Sequence, residues 1–149
     1  MAGQGPLRLH ATAIQINNKG ALIQGPSGSG KSSLALRLIA LGGTLVGDDQ
    51  VALATQDGRL SAQPVTAMRG LIEARGVGLL SVPYVEETKI DLIIDLTQEE
   101  TERLPPLRYQ DILGVTVPCL YQSTNPSWPE AIFLYLMGQR IDPDTHHVD

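Results

Sequence analysis

Gly25-Pro26-Ser27-Gly28-Ser29-Gly30-Lys31-Ser32 places glycines, a lysine and a serine at the spacing of a phosphate-binding loop. It follows the apolar run Ala21-Leu22-Ile23 and leads into Ser33-Leu34-Ala35-Leu36-Arg37-Leu38-Ile39, which reads as helix. A chain that turns on glycines and then enters a helix aims several backbone N–H groups at one small volume. The positive end of the helix dipole lies behind them. In such a loop Lys31 can reach the β- and γ-phosphates, and the Ser32 hydroxyl can hold magnesium. The run points to binding of a nucleoside triphosphate or a related polyphosphate.

Phosphate binding does not name a reaction. Asp48-Asp49 narrows it, because the pair ends the next short apolar run, Thr44-Leu45-Val46-Gly47. Phosphoryl transfer needs a carboxylate to hold magnesium and a group that orients the acceptor and takes its proton. Two adjacent aspartates can divide those tasks; alternatively, one holds the metal and the other caps the following turn. His10 stands outside the tail, on the segment expected to pair with the strand entering the loop, where it could hydrogen-bond an active-site carboxylate. Arg75 and Arg103 are candidates for neutralising charge on a transferred group.

Elements that must position these residues can be read from the surrounding pattern. Leu9 to Ile16 alternates as a strand, and Asn17-Asn18-Lys19-Gly20 turns it back into the strand feeding the loop. The helix is expected from Ser32 to about Leu41, ending at Gly42-Gly43. Gln56-Asp57-Gly58-Arg59 between two apolar runs signals a hairpin. Three glycines between Met68 and Leu80 exclude a helix there and leave strand, turn and loop. Ile90 to Leu96 reads as a strand buried on both faces, and Ile112 to Leu120 as one or two more strands. A closing helix is expected within Pro126 to Arg140, starting near Ser127 with Pro129 in its first turn.

With 149 residues the chain suits one domain, 1–149, and 142–149 reads as a disordered tail whose His146-His147 pair lacks companions for a metal site. The net charge of −5 and the scattered lysines and arginines argue against nucleic acid as a partner. No stretch is long and apolar enough to span a bilayer, and no basic, then apolar, N-terminal signal is present, so a cytoplasmic protein is expected. The single cysteine, Cys119, sits in an apolar run and reads as a buried structural thiol.

Taken in order, His10, the loop from Gly25 to Ser32, Asp48-Asp49 and Glu73-Ala74-Arg75-Gly76-Val77-Gly78 resemble the catalytic domain of the HPr kinase/phosphorylases. Arg103 in Glu102-Arg103-Leu104 matches a later family arginine. The resemblance covers roughly Leu9 to Val117. It implies a compact α/β phosphate-loop fold with a mixed sheet and hairpins, like the cores of that family and of phosphoenolpyruvate carboxykinases. It also implies ATP and Mg2+, with an HPr-like phosphocarrier protein as the acceptor, phosphorylated on serine and dephosphorylated by phosphorolysis. In that scheme Asp48 is the general base and His10 supports it; Arg75 and Arg103 stabilise charge in transfer. Lys31 and the loop amides hold phosphates, while Ser32, Asp49 and Glu73 place the magnesium.

The resemblance further implies a homo-oligomer, hexamers being common in the family. Longer members carry an additional N-terminal domain, whereas only a few residues precede His10, so a truncated form is expected. Ser123-Thr124-Asn125-Pro126-Ser127-Trp128-Pro129 occupies the region where the family's usual proline-glycine-arginine loop would lie. Two other readings share the phosphate loop: a small-molecule kinase, and a nucleotide-binding regulatory module without turnover.

Overall fold

A computed structural model describes residues 6–65, 69–138 and 141. The described chain runs β1 (Leu7–Leu9), β2 (Ala11–Ile16), β3 (Lys19–Gln24), α1 (Lys31–Ala40), β4 (Thr44–Gly47), β5 (Val51–Gln56) and β6 (Arg59–Pro64). It continues with β7 (Leu71–Ala74), β8 (Gly78–Ser81), β9 (Thr88–Glu99), β10 (Arg108–Ile112), β11 (Val115–Gln122) and α2 (Trp128–Met137). The fold is mixed α/β, as expected. Both described helices and most strands fall where the pattern put them, but the strand expected from Leu9 begins at Ala11 after a bend at His10, and β1 and β10 lie almost wholly outside the expected segments. The expected tail and the His146-His147 pair lie outside the described residues.

Three hairpins close on two-residue turns whose central residues both have positive φ: Asn17-Asn18 (56° and 62°), Asp57-Gly58 (54° and 76°) and Leu113-Gly114 (52° and 80°). This backbone hand matches the right-handed twist of the flanking strands, which is why Asn and Gly recur there. Leucine at the third turn is less accommodating, and its glycine partner carries the signal.

Nine of the described strands form one sheet in which β9 is the hub. β3 runs parallel to β9 along one edge, Gly20 to Gln24 against Ile90 to Asp95. On the other edge, β6 pairs with Lys89 and Thr88, and β11 runs parallel beside Ile93 to Glu99. β2 joins β3 as a hairpin, and β4 lies antiparallel beyond β2. β7 and β8 form a separate two-stranded hairpin. Two buried clusters flank the hub. One gathers Ile14, Ile23, Leu38, Leu92 and Ile94 beneath α1 and α2. The other is built by strands alone around Leu22, Leu53, Leu60 and Ile93. Cys119 belongs to the second cluster, and burial pushes its thiol up to about 11, as suits an inert structural thiol. Among the described residues, no helix is long and apolar enough to cross a membrane.

Candidate active site

β3 delivers the chain to the loop, and the loop is shaped by its glycines. Pro26 to Ser29 closes a turn, with the Ser29 N–H donating to the Pro26 carbonyl at 3.0 Å. Gly28 and Gly30 adopt φ of 84° and 104°, and a Cβ built on either would meet nothing within 4 Å. Backbone hand, and not crowding, demands glycine at these two positions. Gly25 is different: a Cβ there would lie 2.4 Å from Ser29 Oγ, so the loop packs on itself at its root.

Gly30 starts α1 from a left-handed conformation, with no side-chain cap and no acidic residue in the first turn. The first amides of α1 therefore remain available as donors for an anion. Lys31 is buried, and its ammonium donates to the carbonyl oxygens of Gly25 (2.7 Å) and Pro26 (3.1 Å). These contacts hold the cation on the loop itself.

The Asp pair is aimed by a register irregularity. β2 and β4 pair Ala13 with Gly47 and then Ile14 with Leu45, so Val46 is the extra residue of a bulge. A bulge bends its strand and re-aims the side chains beyond it. Gly47 permits the tight approach, since a Cβ there would come within 2.9 Å of Val51 Cγ1. Asp49 then turns with φ of 72°, a left-handed conformation that aspartate tolerates better than most residues.

The two carboxylates are placed differently. Asp48 Oδ1 accepts a hydrogen bond from Ser32 Oγ at 2.7 Å and another from Thr12 Oγ1 at 3.0 Å. Thr12 is fully buried, and its hydroxyl also accepts from the Asp49 N–H at 3.5 Å. Asp49 itself is exposed. His10 is exposed at the bend before β2, and from β2 the Thr12 hydroxyl bonds to Asp48. Thr12 gave no signal in the sequence beyond a polar residue in a strand.

Glu73 lies on the exposed face of β7, whose Ile72 is buried in the cluster beneath α1. Arg75 follows on the exposed turn towards β8. Arg103 is exposed and lines a cavity of about 320 Å3 with Glu100, Glu102 and Tyr135. Among the described residues, no hydrogen bond or ion pair joins Glu73, Arg75 or Arg103 to Lys31, Ser32, Asp48 or Asp49. The structure thus brings Ser32 of the loop, Thr12 and Asp48 into direct contact, ties the Asp49 backbone to Thr12, and leaves Glu73, Arg75, Arg103 and His10 without a hydrogen bond or ion pair to them among the described residues.

The chain resembles known proteins. Residues 5–127 match the HPr Serine kinase C-terminal domain family. The chain belongs to the HPr kinase/phosphorylase family. An HPr kinase/phosphorylase of Clostridium botulinum is 33% identical over 139 residues, covering 85% of this chain and 46% of the relative. That of Caldicellulosiruptor bescii is 36% identical over 138 residues, covering 84% of this chain and 44% of the relative. The chain thus spans a little under half the length of these HPr kinase/phosphorylases. The solved Hpr(Ser) kinase/phosphatase from Coxiella burnetii superposes with a TM-score of 0.74 at 29% identity, covering 88% of this chain and 93% of that one. The mixed sheet around the phosphate loop is therefore the fold of HPr kinase/phosphorylases.

Proposed function

We propose that this chain is a magnesium- and ATP-dependent kinase that phosphorylates a serine of an HPr-like phosphocarrier protein. We propose the reverse phosphorolysis of the seryl phosphate at the same site. The observation that carries the reading is the contact of Asp48 Oδ1 with Ser32 Oγ at 2.7 Å, at the mouth of a helix whose first amides lack a side-chain cap.

Loop amides and the Lys31 ammonium hold the donor's phosphates, Lys31 exchanging its bonds to Gly25 and Pro26 for phosphate oxygens. Magnesium favours oxygen ligands and takes only one or two carboxylates when phosphates and waters supply the rest. The Ser32 hydroxyl, in the first turn of α1 and beside Asp48, offers such an oxygen donor. Ser32, Asp49 and Glu73 would hold the ion, whose chemistry is to neutralise charge on the phosphate oxygens. Ser32 can serve both sides, since its proton is held by Asp48 while its oxygen lone pairs remain for a cation.

Asp48 is the general base. Both hydroxyls engage Oδ1, so Oδ2 is the oxygen that takes the proton of the attacking serine. The serine oxygen then bonds to the γ-phosphorus as the bond to the β–γ bridging oxygen breaks and ADP leaves. In reverse, protonated Asp48 returns its proton to the serine oxygen as phosphate attacks the phosphoserine, giving serine and pyrophosphate. Arg75, Arg103 and His10 are proposed to complete the site when the acceptor docks, the arginines against transferred charge. Family membership supports the HPr-like acceptor, and a homo-oligomeric assembly is proposed beside it.

The test is transfer of label from ATP to HPr-like proteins in the presence of magnesium, with Asp48→Asn as control. We expect phosphoserine on the acceptor, and a loss of about 10²-fold or more in rate for Asp48→Asn while nucleotide binding persists. Nucleotide binding with no labelled protein would favour a small-molecule kinase or a module without turnover.

A further inference from the structure

A second cavity, of about 330 Å3, opens on the flank of α1 and shares Ser29 and Gly30 with the phosphate loop. We propose that it seats the nucleoside of the phosphoryl donor, with Trp128 stacking on the base and Asn125 hydrogen-bonding to it. This inference rests on the proposed phosphate-loop function and extends it to the other end of the donor.

Helical spacing gives the donor a direction. Ser33 and Arg37, four residues apart on one side of α1, both line the cavity, and Ser29 of the loop lines it just before the helix starts. Ser32 points elsewhere, to Asp48. A polyphosphate lying across the start of α1 therefore has its reacting end at Ser32 and Asp48, and its other end at Ser33, where the cavity begins. Charge supports that direction. Ser123, Asn125 and Trp128 line both this cavity and its neighbour, but this one has Arg37 and no acidic lining side chain among the described residues, whereas the neighbour sets Glu100 and Glu102 beside Arg103.

The opposite wall is preorganised. In the segment joining β11 to α2, Ser123 Oγ accepts from the Asn125 N–H (3.0 Å) and Asn125 Oδ1 accepts from the Ser127 N–H (2.9 Å). The Asn125 carbonyl accepts from the Trp128 N–H at 2.9 Å. These bonds fix the segment and leave the Asn125 side-chain amide to donate to a base edge. Trp128 is half-buried: it packs against the core beneath α1 and also lines the cavity. An aromatic face in that position stacks on any base, an interaction that sustains roughly ten- to a hundredfold in affinity.

Trp128 is the chain's single tryptophan, so its emission reports the site directly. ATP and inorganic tripolyphosphate, each with magnesium, would be titrated calorimetrically and by fluorescence into the full chain, into Trp128→Leu and into Asn125→Ala. We expect ATP to bind the unmodified chain at least tenfold more tightly than tripolyphosphate and alone to change Trp128 emission. Each variant should lose most of that advantage while binding tripolyphosphate as before, which also reports an intact loop. Equal affinities for the two ligands, or ATP affinity indifferent to both variants, would overturn the nucleoside site and leave the phosphate loop standing. Binding of neither ligand to the unmodified chain would overturn both readings. Should Trp128→Leu fail to fold, Asn125→Ala and the ratio in the unmodified chain decide.

Discussion

Thr12 links the two aspartates through one buried hydroxyl, donating to Asp48 Oδ1 and receiving the Asp49 N–H. Valine matches threonine in shape but offers neither bond. Thr12→Val should therefore leave Asp48 held by Ser32 alone, its carboxylate free to swing from the acceptor. Misplacement of a reacting group by a fraction of an ångström is costly in rate. We expect kcat to fall about tenfold with KM for ATP changed less than about twofold, and Thr12→Ser to restore most of the rate. An unchanged kcat in Thr12→Val would show that the hydroxyl serves only the fold. The loop and the Asp pair were legible in the sequence because each is contiguous, and its chemistry comes from residue type and local geometry. Thr12 was not legible, since its role arises only when the bulge at Val46 sets Thr12 of β2 against Asp48. His10, two residues away in the chain, drew attention by its expected place beside the strand that enters the loop.

Elements inherit their precision from few residues. α1 begins at Gly30 with φ of 104°, a conformation that an L-residue enters at a cost of about 1–2 kcal/mol. Because a Cβ there would touch nothing within 4 Å, Gly30→Ala isolates backbone strain from crowding. Its urea midpoint should fall by the equivalent of about 1–2 kcal/mol, and ATP affinity should drop as the first amides of α1 lose their aim. At the other end of the sheet, Arg108 from β10 pairs in bidentate fashion with Glu100 just after β9. The contacts are 3.0 Å from Nε to Oε1 and 2.9 Å from Nη2 to Oε2, and the guanidinium lies 4.4 Å from the Tyr121 ring centroid. Arg108 holds the Glu100 carboxyl below its ordinary value of 4.5. A carboxylate lowered by folding stabilises the native state above that value and loses the contribution as pH falls below it. Glu100→Gln should accordingly lower Tm at pH 7, and the difference from the unmodified chain should shrink as pH is taken below about 4.5. A gap that stayed constant to low pH would assign the effect to packing. Hairpin turns such as Asp57-Gly58 were legible because their φ demands restrict residue type. β1 was not, being three residues whose only partner strand among the described residues is β5, far along the chain.

The molecule as a whole is organised by β9, and its pattern shows how one strand serves two cores. Leu92, Ile94 and Leu96 face the cluster beneath the helices, while Ile93 faces the strand-built cluster. Strict alternation would send Ile90 to the helical side, yet it lies with Ile93. The register explains this: Gly20 pairs with Ile90 and Ala21 with Leu92, so Asp91 is an extra residue at a bulge and the faces exchange there. Asp91 turns to an ion pair with Arg59. The continuous apolar run announced a strand buried on both faces, but the exchange of faces depends on pairing that no local pattern encodes. A strand shared in this way should make both cores one cooperative unit. Ile93→Ala tests that directly. It removes methyl and methylene groups from the strand-built cluster and should cost about 2–5 kcal/mol. Trp128, whose fluorescence senses unfolding, packs against the opposite cluster. With β9 as a common element, the fluorescence and far-UV circular dichroism transitions of Ile93→Ala should shift together by that amount and remain superimposable. If the strand-built core melted by itself, circular dichroism would change first and Trp128 would keep its native midpoint. Coincidence of the two curves would mean that a substitution remote from α1 lowers the stability of the phosphate loop as well, because loop, helix and strands are then held or lost together.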